Sequence, residues 1–312
     1  MPEHRPTICI FATALFVSVT VERGDDGHDD IHIHPGGQGF WIARMVRHLG
    51  ARPTLCAPIG GESGRVLKTL VPTFGIDLAA VEISSGSPAY VHDRRGGERV
   101  TVAQGRSPVL DRHERDDLYA KVLDRSLAAG VAVITGRVDD VFSADMYRRL
   151  GSDLASNGAR VVGDLHGEEL DAFLEGGAIE VLKVSDEDLH QDGRIEDLDE
   201  PGALLDAIAR LKEGGAAAVV VSRRGDPAIA SINGSILLAK PPELTEVDFR
   251  GSGDSMTAGL SIAVARGLSP EEALRLACAA GTANVARHGL GNASVDLITQ
   301  LAERVELERF EA

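Results

Sequence analysis

Cysteine and long apolar runs are both scarce in this chain of 312 residues. Its cysteines, Cys9, Cys56 and Cys278, lie far apart and form no C-x-x-C pair. That spacing excludes a disulfide framework and a cysteine zinc site, and it favours a reducing, cytoplasmic location. No apolar run reaches the roughly 18 residues that a membrane-spanning helix needs. Residues 8–21 imitate an export signal, but acidic residues follow them, so we predict a buried first strand there.

Positive charge is also in short supply. The 32 Lys and Arg residues stand against 48 Asp and Glu residues, which gives a formal net charge of −16. Such a chain repels phosphodiester backbones and anionic lipid, so we expect neither nucleic acid nor a membrane as a partner. A phosphorylated small molecule would need local positive sites, such as helix N-termini, a few basic side chains or Mg²⁺.

Two common nucleotide-binding motifs are missing as well. The first glycine cluster, residues 36–39, lacks the G-x-G-x-x-G spacing, and no G-x-x-x-x-G-K-[ST] sequence occurs. The chain therefore supports neither a Rossmann dehydrogenase nor a P-loop kinase. A nicotinamide-dependent oxidoreductase would rest on glycine-rich turns alone.

From residue 131 onward, short β-branched runs alternate with helical patterns. Strands are predicted at 131–135, 161–165, 180–184 and 216–222, and helices near 144–156, 168–174 and 202–212. This alternation indicates right-handed crossovers and a parallel sheet covered on both faces. Elsewhere, apolar and polar residues alternate around turns, which predicts hairpins of a small antiparallel sheet.

The hairpins divide the predicted fold into two parts. Residues 1–16, 36–86 and 106–312 would form the main α/β domain, and residues 17–35 and 87–105 a small β lid. Because so thin a sheet does not fold alone, ligand, the main domain or another subunit must bury its second face. We expect a lid, a dimer clasp or both, with a homodimer formed through the lid.

The start of one C-terminal helix carries the clearest chemical signal. A helix opens at residues 251–254 and stops at Gly267, and a capping box at 269–272 starts the next one, towards residue 288. Glycines at a helix start expose free N–H groups, which form an anion site. Asp254 suits a base that acts on an alcohol beside a phosphoryl group. The plain alternative is an acidic residue favoured by the helix dipole.

Six sequence elements occur in an order that resembles a known family. They are PGGQG at 35–39, IGGESG at 59–64, DLHG at 164–167, KVSDEDL at 183–189, VVVS at 219–222 and RGSGDSMTAG at 250–259. Together they resemble the PfkB/ribokinase family, and within it the phosphofructokinase and tagatose-6-phosphate kinase branch. The resemblance implies a ribokinase-like three-layer α/β/α sandwich with a mainly parallel sheet. It also implies a carbohydrate kinase that uses ATP and Mg²⁺.

The resemblance further implies roles for individual residues. Asp254 would be the general base, and the amides of Gly251, Ser252 and Gly253 would form the anion hole for the transferred phosphoryl group. The nucleotide would be bound by Lys183, Ser185, Ser222, Gly225 and Asn284. Asp188 would organise Mg²⁺ through water. The plain alternative for this last stretch is a helix start capped by Ser185.

Three positions that would bind the acceptor depart from the family pattern. The family's aspartate after the first strand is Phe16 here, its lysine in the first glycine motif is Gln38, and its asparagine there is Trp41. Losing three polar contacts should reject the usual sugar phosphate, so we expect a non-standard, less polar small-molecule substrate. Phe16 and Trp41 would form an apolar wall beside Gly37, unless Trp41 packs in the core. Arg250 would replace the lysine as a phosphate partner, unless it is merely exposed.

The nucleotide and metal positions also depart from the pattern. Ser185 and Asp188 stand where the family has Asn and Glu, and residues 222–227 lack the usual L-G-x-x-G. These changes favour an alternative, a catalytically impaired kinase-fold protein that binds a ligand or regulates. The intact G-S-G-D turn favours an enzyme. The histidines at 28–34 suggest a metal site, but their alternation with isoleucines predicts a solvated strand face.

Overall fold

The computed structural model describes residues 5–136, 141–177, 179–198, 200–286 and 290–310. The strands are β1 (Thr7–Phe11), β2 (Phe16–Arg23), β3 (Asp29–Gly36), β4 (Arg52–Ile59), β5 (Asp77–Glu82), β6 (Ala89–Asp93), β7 (Val100–Gln104), β8 (Val131–Thr135), β9 (Arg160–Asp164), β10 (Ile179–Ser185), β11 (Ala216–Ser222), β12 (Ala228–Ile232), β13 (Ser235–Lys240) and β14 (Glu306–Arg309). The helices are α1 (Gln38–His48), α2 (Gly61–Leu70), α3 (Arg112–Ala129), α4 (Ala144–Ser156), α5 (Gly167–Gly176), α6 (Asp186–Gln191), α7 (Pro201–Glu213), α8 (Ser252–Arg266), α9 (Pro270–Val285) and α10 (Val295–Ala302). A short 3-10 helix (Val71–Phe74) follows α2.

The strands form a large sheet and a small one. The large sheet has the order β14-β13-β12-β11-β10-β9-β8-β1-β4-β5. Its pairings from β11 to β5 are parallel, and β12, β13 and β14 extend it in antiparallel fashion. The mainly parallel sheet predicted from the strand–helix alternation is confirmed.

Helices cover both faces of the large sheet. Along β1, Ile8 and Ile10 belong to a core with α1, α2, α8, α9 and α10, whereas Cys9 and Phe11 belong to a core with α3 to α7. Alternate side chains of a strand point to opposite faces, so one continuous apolar strand supplies both cores. Each large side chain that is fully buried contributes about 1.5–3 kcal/mol. The result is the predicted three-layer α/β/α sandwich.

The buried first strand predicted within residues 8–21 is β1, which ends at Phe11, and a second strand follows it in the same segment. β1 pairs with β4 and β8 in the large sheet, and β2 pairs with β3 and β6 in the small one. Between them the chain turns, and Thr13 Oγ1 donates to Gly136 O at 3.1 Å. The change of pattern marks the break, since β1 is apolar on both sides and β2 alternates.

The small sheet has the order β3-β2-β6-β7. Both predicted hairpins are present, but the β2–β6 pairing that joins them is parallel. The expected all-antiparallel sheet is therefore corrected at this one pair, because α1, β4, α2 and β5 lie between β2 and β6 in the chain. One face buries Ser18, Thr20 and His92, while Ile31 and Ile33 are 63% and 55% exposed.

The helix boundaries near the C-terminus follow their sequence signals. α8 begins after Gly251 and ends before Gly267, and Ser269 and Glu272 form a capping box at the start of α9. α9 ends at Val285, and the predicted end near residue 288 lies outside the described residues. Within the described part of the chain, every helix is too short or too polar to span a membrane.

Candidate active site

Two cavities meet near the start of α8, at the carboxyl ends of the parallel strands. Cavity A, of about 370 Å³, lies between the inner face of the small sheet, α1 and the segment that leads into α8. Cavity B, of about 270 Å³, lies between the ends of β10 and β11 and the helices α8 and α9. Ligands of open α/β sheets bind at this edge, outside the carboxyl ends of the strands.

The turn at residues 250–254 forms the boundary between the cavities. Arg250 lines cavity A, Ser252 and Gly253 line cavity B, and Asp254 follows in the first turn of α8. Gly251 is the N-cap residue, with a left-handed φ of 75°, and no side chain caps this helix. A left-handed N-cap suits glycine, which has no Cβ to clash.

The amides at this turn are not equally free. The N–H of Ser252 donates to Phe249 O at 3.3 Å. For Gly251 and Gly253, no acceptor is found among the described residues. Of the three predicted anion-hole donors, two therefore point to a ligand, and Ser252 would join them only by giving up a long hydrogen bond.

Asp254 is half-buried and carries a shifted proton affinity. Burial and then the nearby Asp164 carboxylate raise the pKa of Asp254 to about 7, against the opposing effect of Lys183. Within the described residues, no hydrogen bond engages the Asp254 carboxylate. A carboxylate whose pKa lies near neutrality and which has no fixed partner is suited to act as a general base.

Behind Asp254 lies a buried ion pair that sequence reasoning missed. Lys183 Nζ is 3.5 Å from Asp164 Oδ1, and both side chains are only 7% exposed. Thr257 Oγ1 donates to the other oxygen, Oδ2, at 2.7 Å. Burial lowers the pKa of Lys183, but attraction by Asp164, Asp254 and Asp188 outweighs it and the pKa is raised. Asp164 stands at the end of β9, inside the DLHG element, which was the available signal.

Gly253 lets the lysine approach the start of α8. A methyl group built at Gly253 would lie 2.7 Å from Lys183 Nζ, closer than real side chains come. The glycine at this position therefore leaves space for an ammonium group beside the amides of the turn. Lys183 and Gly253 together form a positive site next to the Asp254 carboxylate.

Most of the predicted nucleotide residues come together around cavity B. Lys183, Ser185, Ser222 and Gly225 all line it. The facing wall comes from α8 and α9 and includes Met256, Cys278, Gly281, Thr282 and Val285. An apolar wall opposite a charged end is the usual character of a site for a base and its phosphates.

Two arginines of cavity B were not predicted to bind. Arg223 Nη2 is 3.2 Å from Asp226 Oδ2, and the side chain is 14% exposed. The guanidinium carbon of Arg224 lies 3.7 Å from the centre of the Phe249 ring. Both follow Ser222 in the loop that departs from the family pattern, so the altered loop brings added positive charge to the cavity.

Asn284 does not line the nucleotide cavity, although it was predicted to bind there. It is fully buried, and its Nδ2 donates to Arg250 O at 2.7 Å. Its Oδ1 accepts from Gly291 N at 2.8 Å. Both the nitrogen and the oxygen of the side-chain amide are hydrogen-bonded, and Asn284 therefore stabilises the turn that precedes α8.

Ser185 and Asp188 form the capping box of α6. Ser185 Oγ donates to Asp188 Oδ2 at 2.6 Å, and the N–H of Asp188 donates back to Ser185 Oγ at 3.0 Å. The acids of this helix start that line cavity B are Asp186 and Glu187. In the described part of the chain, no group of three or more His, Cys, Asp or Glu side chains could hold a metal ion. This geometry matches the helix-cap alternative.

Cavity A is lined by arginines that sequence reasoning did not single out. Arg44 comes from α1, Arg94 and Arg99 flank the turn between β6 and β7, and Arg250 precedes α8. Only Arg250 was predicted, and it forms two hydrogen bonds with the Asp248 carboxylate, of 2.8 and 2.6 Å. No sequence signal linked these arginines, since three separate parts of the chain supply them.

Positive groups crowd the inner face of the small sheet. Burial, then Arg99, Arg250 and His34, lower the pKa of His92 to about 4. The pKa of His34 is lowered by burial and then by Arg99 and Arg44. Burial and Arg250 also lower the pKa of Arg99. Groups that resist a further positive charge mark a region of positive potential, which attracts anions.

Phe16 and Trp41 are in contact, but only Trp41 lines cavity A. Their ring centres are 6.0 Å apart at an angle of 82°. Phe16 also stacks on Tyr90, with ring centres 4.3 Å apart, and so supports the tryptophan from behind. Gly37 is the N-cap of α1 and Gln38 its first residue, and neither is among the lining residues, whereas Gly36 is.

Comparison with known proteins identifies the family. Residues 10–297 match the sequence profile described as pfkB family carbohydrate kinase. The chain belongs to this family. The family expected from the six sequence elements is thereby confirmed, and so is the enzyme class, a carbohydrate kinase.

Two curated relatives and a solved structure agree with this assignment. ATP-dependent 6-phosphofructokinase isozyme 2 of Escherichia coli (strain K12) is 29% identical over 258 residues, 82% of this chain and 82% of that protein. The 1-phosphofructokinase of Bacillus subtilis (strain 168) is 26% identical over 282 residues, 89% of each chain. Phosphofructokinase-2 from Escherichia coli in complex with potassium superposes with a TM-score of 0.86 at 25% identity, over 96% of this chain and 99% of that one. The ribokinase-like fold is therefore confirmed.

Proposed function

We propose that this carbohydrate kinase transfers the terminal phosphoryl group of ATP to an alcohol of a small anionic molecule. The nucleotide would bind in cavity B and the acceptor in cavity A. One observation carries the proposal: Arg250 lines cavity A, Ser252 and Gly253 line cavity B, and the half-buried Asp254 follows them directly in the first turn of α8. Phosphoryl transfer needs two substrates positioned in line, with charge neutralised between them.

Asp254 acts as the general base in this mechanism. It takes the proton of the acceptor hydroxyl, and its pKa of about 7 keeps it partly ionised at neutral pH. The amides of Gly251 and Gly253, with Ser252, face the phosphoryl group as it transfers. The Lys183 ammonium, held by Asp164 beside Gly253, balances the charge that develops there.

Cavity B fits ATP and Mg²⁺ through its mixture of charges. Lys183 and Arg223 would hold phosphate oxygens, and the apolar wall of α8 and α9 would hold the adenine. Mg²⁺ binds through one or two carboxylates plus phosphates and water, and it neutralises phosphate charge when bound. Of the four carboxylates that line this cavity, Asp186 and Glu187 lie at the start of α6 beside Ser185 and would hold Mg²⁺. Asp188, which was expected to organise Mg²⁺ through water, would instead serve the capping box of α6 with Ser185.

The acceptor would be anionic because of the arginines of cavity A. Arg250, as predicted, would serve as an anion partner in place of the missing lysine, now together with Arg44, Arg94 and Arg99. Both relatives are named as kinases of fructose phosphates. Trp41 in the cavity wall supports an acceptor less polar than those sugars.

The small sheet would serve both as a lid over cavity A and as a dimer clasp. Ser18 and His92 lie on the inner face of this sheet, towards cavity A, whereas the outer face carries Ile31, Ile33 and Val100. Their exposed fractions are 63%, 55% and 58%, and a second copy of the chain in the same cytoplasm would cover them. Ile33→Lys should convert the dimer to a monomer in sedimentation velocity, whereas Val295→Lys, at another exposed valine, should not. A wild-type monomer at micromolar concentration would contradict the clasp.

Asp254→Asn tests the catalytic proposal. Turnover should fall about 10²–10⁴-fold because the base is lost, while calorimetry with ATP·Mg²⁺ shows nearly unchanged binding. Turnover is measured as ADP release over a panel of sugars, sugar phosphates, nucleosides and polyols. Asp296→Asn is the matched control, since Asp296 also lies in the first turn of a helix but is exposed. Equal turnover in both variants and the wild type would remove Asp254 from its role.

A second candidate is a kinase-fold protein that binds its ligands but transfers no phosphoryl group. The observation that favours it is the capping box, which engages the residues expected to organise the metal. ATP·Mg²⁺ binding without ADP release across the whole acceptor panel would support this second function over the first.

A further inference from the structure

Cavity A combines positive charge with aromatic rings. Its other polar groups are two hydroxyls, two imidazoles and two carboxylates, from Ser18, Thr20, His32, His34, Glu22 and Asp248. Its rings are Phe40, Trp41 and Phe74, and its arginines are Arg44, Arg94, Arg99 and Arg250. Among the described residues that line it, none is Asn or Gln. Side-chain amides both donate to and accept from hydroxyl groups, and this cavity has none for a polyhydroxylated body.

The two carboxylates of the cavity are already engaged. Asp248 accepts two hydrogen bonds from the Arg250 side chain, of 2.8 and 2.6 Å. Glu22 lies 3.6 Å from Arg94 and 3.9 Å from His32. A sugar hydroxyl would have to share these carboxylate oxygens with the arginines that already contact them.

The inner face of the small sheet is prepared for an anion. Arg44, Arg99 and Arg250 all line this region, and, after burial, the arginines contribute to the lowered pKa values of His34 and Arg99 by charge repulsion. A bound anion would relieve that repulsion. In addition, Ser18 lines the cavity, is 2% exposed, and its hydroxyl has no hydrogen-bond partner in the described part of the chain. Such a buried hydroxyl calls for a polar ligand atom or a water.

Trp41 provides a fixed flat surface beside these charges. The edge of Phe16 meets its ring, and Phe16 is itself stacked on Tyr90. The indole, which also packs against the main core, is held in place and contributes part of its surface to the cavity wall. A flat apolar ring of a ligand would pack against it in an offset or edge-to-face arrangement.

We infer that the acceptor is a phosphorylated alcohol whose body is an aromatic or otherwise flat, hydroxyl-poor ring. Its anion would lie against Arg99, Arg250 and Ser18, and its ring against Trp41. The inference rests on the proposed function, because it takes cavity A to be the acceptor site. It differs from the fructose phosphates for which the relatives are named.

Trp41 is the single tryptophan of the chain, so its fluorescence reports directly on cavity A. The full chain is titrated without nucleotide with three probes, benzyl phosphate, fructose 6-phosphate and inorganic phosphate. Benzyl phosphate should bind at least about tenfold more tightly than either of the others. Equal or tighter binding of fructose 6-phosphate, or no binding of any probe up to millimolar concentrations, overturns the inference.

Two variants separate the anion contact from the ring contact. By calorimetry, Arg99→Gln should weaken all three probes about tenfold, since each loses one charged hydrogen bond. Trp41→Leu should weaken benzyl phosphate alone, to the level of inorganic phosphate. Ser126→Ala is the control, because Ser126 is fully buried in α3, away from both cavities. If Trp41→Leu weakened all three probes equally, as Arg99→Gln should, the ring contact would be contradicted.

These measurements involve no turnover, so the two proposals can fail separately. If the probes rank as expected and no acceptor is phosphorylated, the kinase mechanism fails while the ligand class stands. If fructose 6-phosphate is both bound and phosphorylated in preference to ring phosphates, the ligand class fails while the kinase mechanism stands.

Discussion

Cavity A and cavity B differ in how closely the residues around them follow the family pattern. Around cavity B, residues from three of the six family elements come together, and the side chains that line it include Lys183, Ser185 and Ser222. Around cavity A, the family's polar positions hold Phe16, Gln38 and Trp41, and arginines from elsewhere supply the charge. The nucleotide side thus keeps the family pattern in most positions, whereas the acceptor side is rebuilt.

The difference follows from the ligand that each cavity would bind. A phosphate donor presents the same triphosphate to every kinase, so amides at a helix start and one buried lysine can serve unchanged. An acceptor site changes with its substrate, and loops and an added sheet can supply new side chains without disturbing the main sheet. The turn at residues 250–254 belongs to both sides and is intact.

Among the variants that test this comparison, Lys183→Met should have the largest effect, because it removes the buried cation of the nucleotide side. Asp164 and Asp254 would lose their shared positive neighbour, and the pKa of Asp254 would rise, since Lys183 lowers it. Stability should fall by about 3–5 kcal/mol, as when a buried pair loses one partner. Turnover should fall by at least about 10²-fold.

Urea unfolding and ADP release measure the two effects of Lys183→Met. Lys212→Met is the control, because Lys212 is half-buried in α7, outside both cavities, and its ammonium donates only to Ser231 Oγ. Wild-type turnover in the Lys183 variant would show that cavity B works without its buried lysine, and the contrast between the two cavities would be lost.

A smaller effect is expected from pH. With a pKa of about 7, Asp254 is ionised above that pH and protonated below it. Because the base must be ionised, kcat/KM should fall about tenfold for each pH unit below 7 and level off above it. Asp164→Asn should move the midpoint to lower pH, since the Asp164 carboxylate raises the pKa of Asp254. A flat profile between pH 5.5 and 8 in the wild type would contradict the assignment.

Much of the main fold could be predicted from local patterns. The strands at 131–135 and 216–222 and the helix at 144–156 were predicted with the bounds that the structure has. Their residues are apolar on both faces or have clear caps, so nearby sequence decides them. The lid was predicted to begin at residue 17, but the end of β1 at Phe11 was not predicted, because the apolar run continues past it.

The site was predictable only where one short segment forms it. The turn at 250–254 and Lys183 lie in recognisable elements. Arg94 and Arg99 reach cavity A because β6 pairs in parallel with β2, a long-range pairing that no local pattern indicates. Asn284 was misplaced for the same reason, since its partners Arg250 and Gly291 are set by tertiary packing.

The smallest effect concerns a departure from the family pattern on the nucleotide side, the capping box of α6. Ser185→Ala should lower stability by about 1 kcal/mol, the usual cost of losing a cap, and Asp188→Asn should have a similar effect. The Mg²⁺ concentration needed for half-maximal turnover should stay unchanged in both, because Asp188 Oδ2 is bound to Ser185. Thermal unfolding and a Mg²⁺ titration of ADP release measure these quantities.

Ser269→Ala provides the matched control for this last prediction. Ser269 caps α9 with Glu272 in the same capping-box arrangement, and it lines neither cavity. If all three variants lose similar stability and keep the same Mg²⁺ dependence, the cap alone explains Ser185 and Asp188. A Mg²⁺ requirement that rises about tenfold in Asp188→Asn only would instead assign that carboxylate to the metal, through its free Oδ1. Cavity B would then match the family pattern in function even where its residues differ.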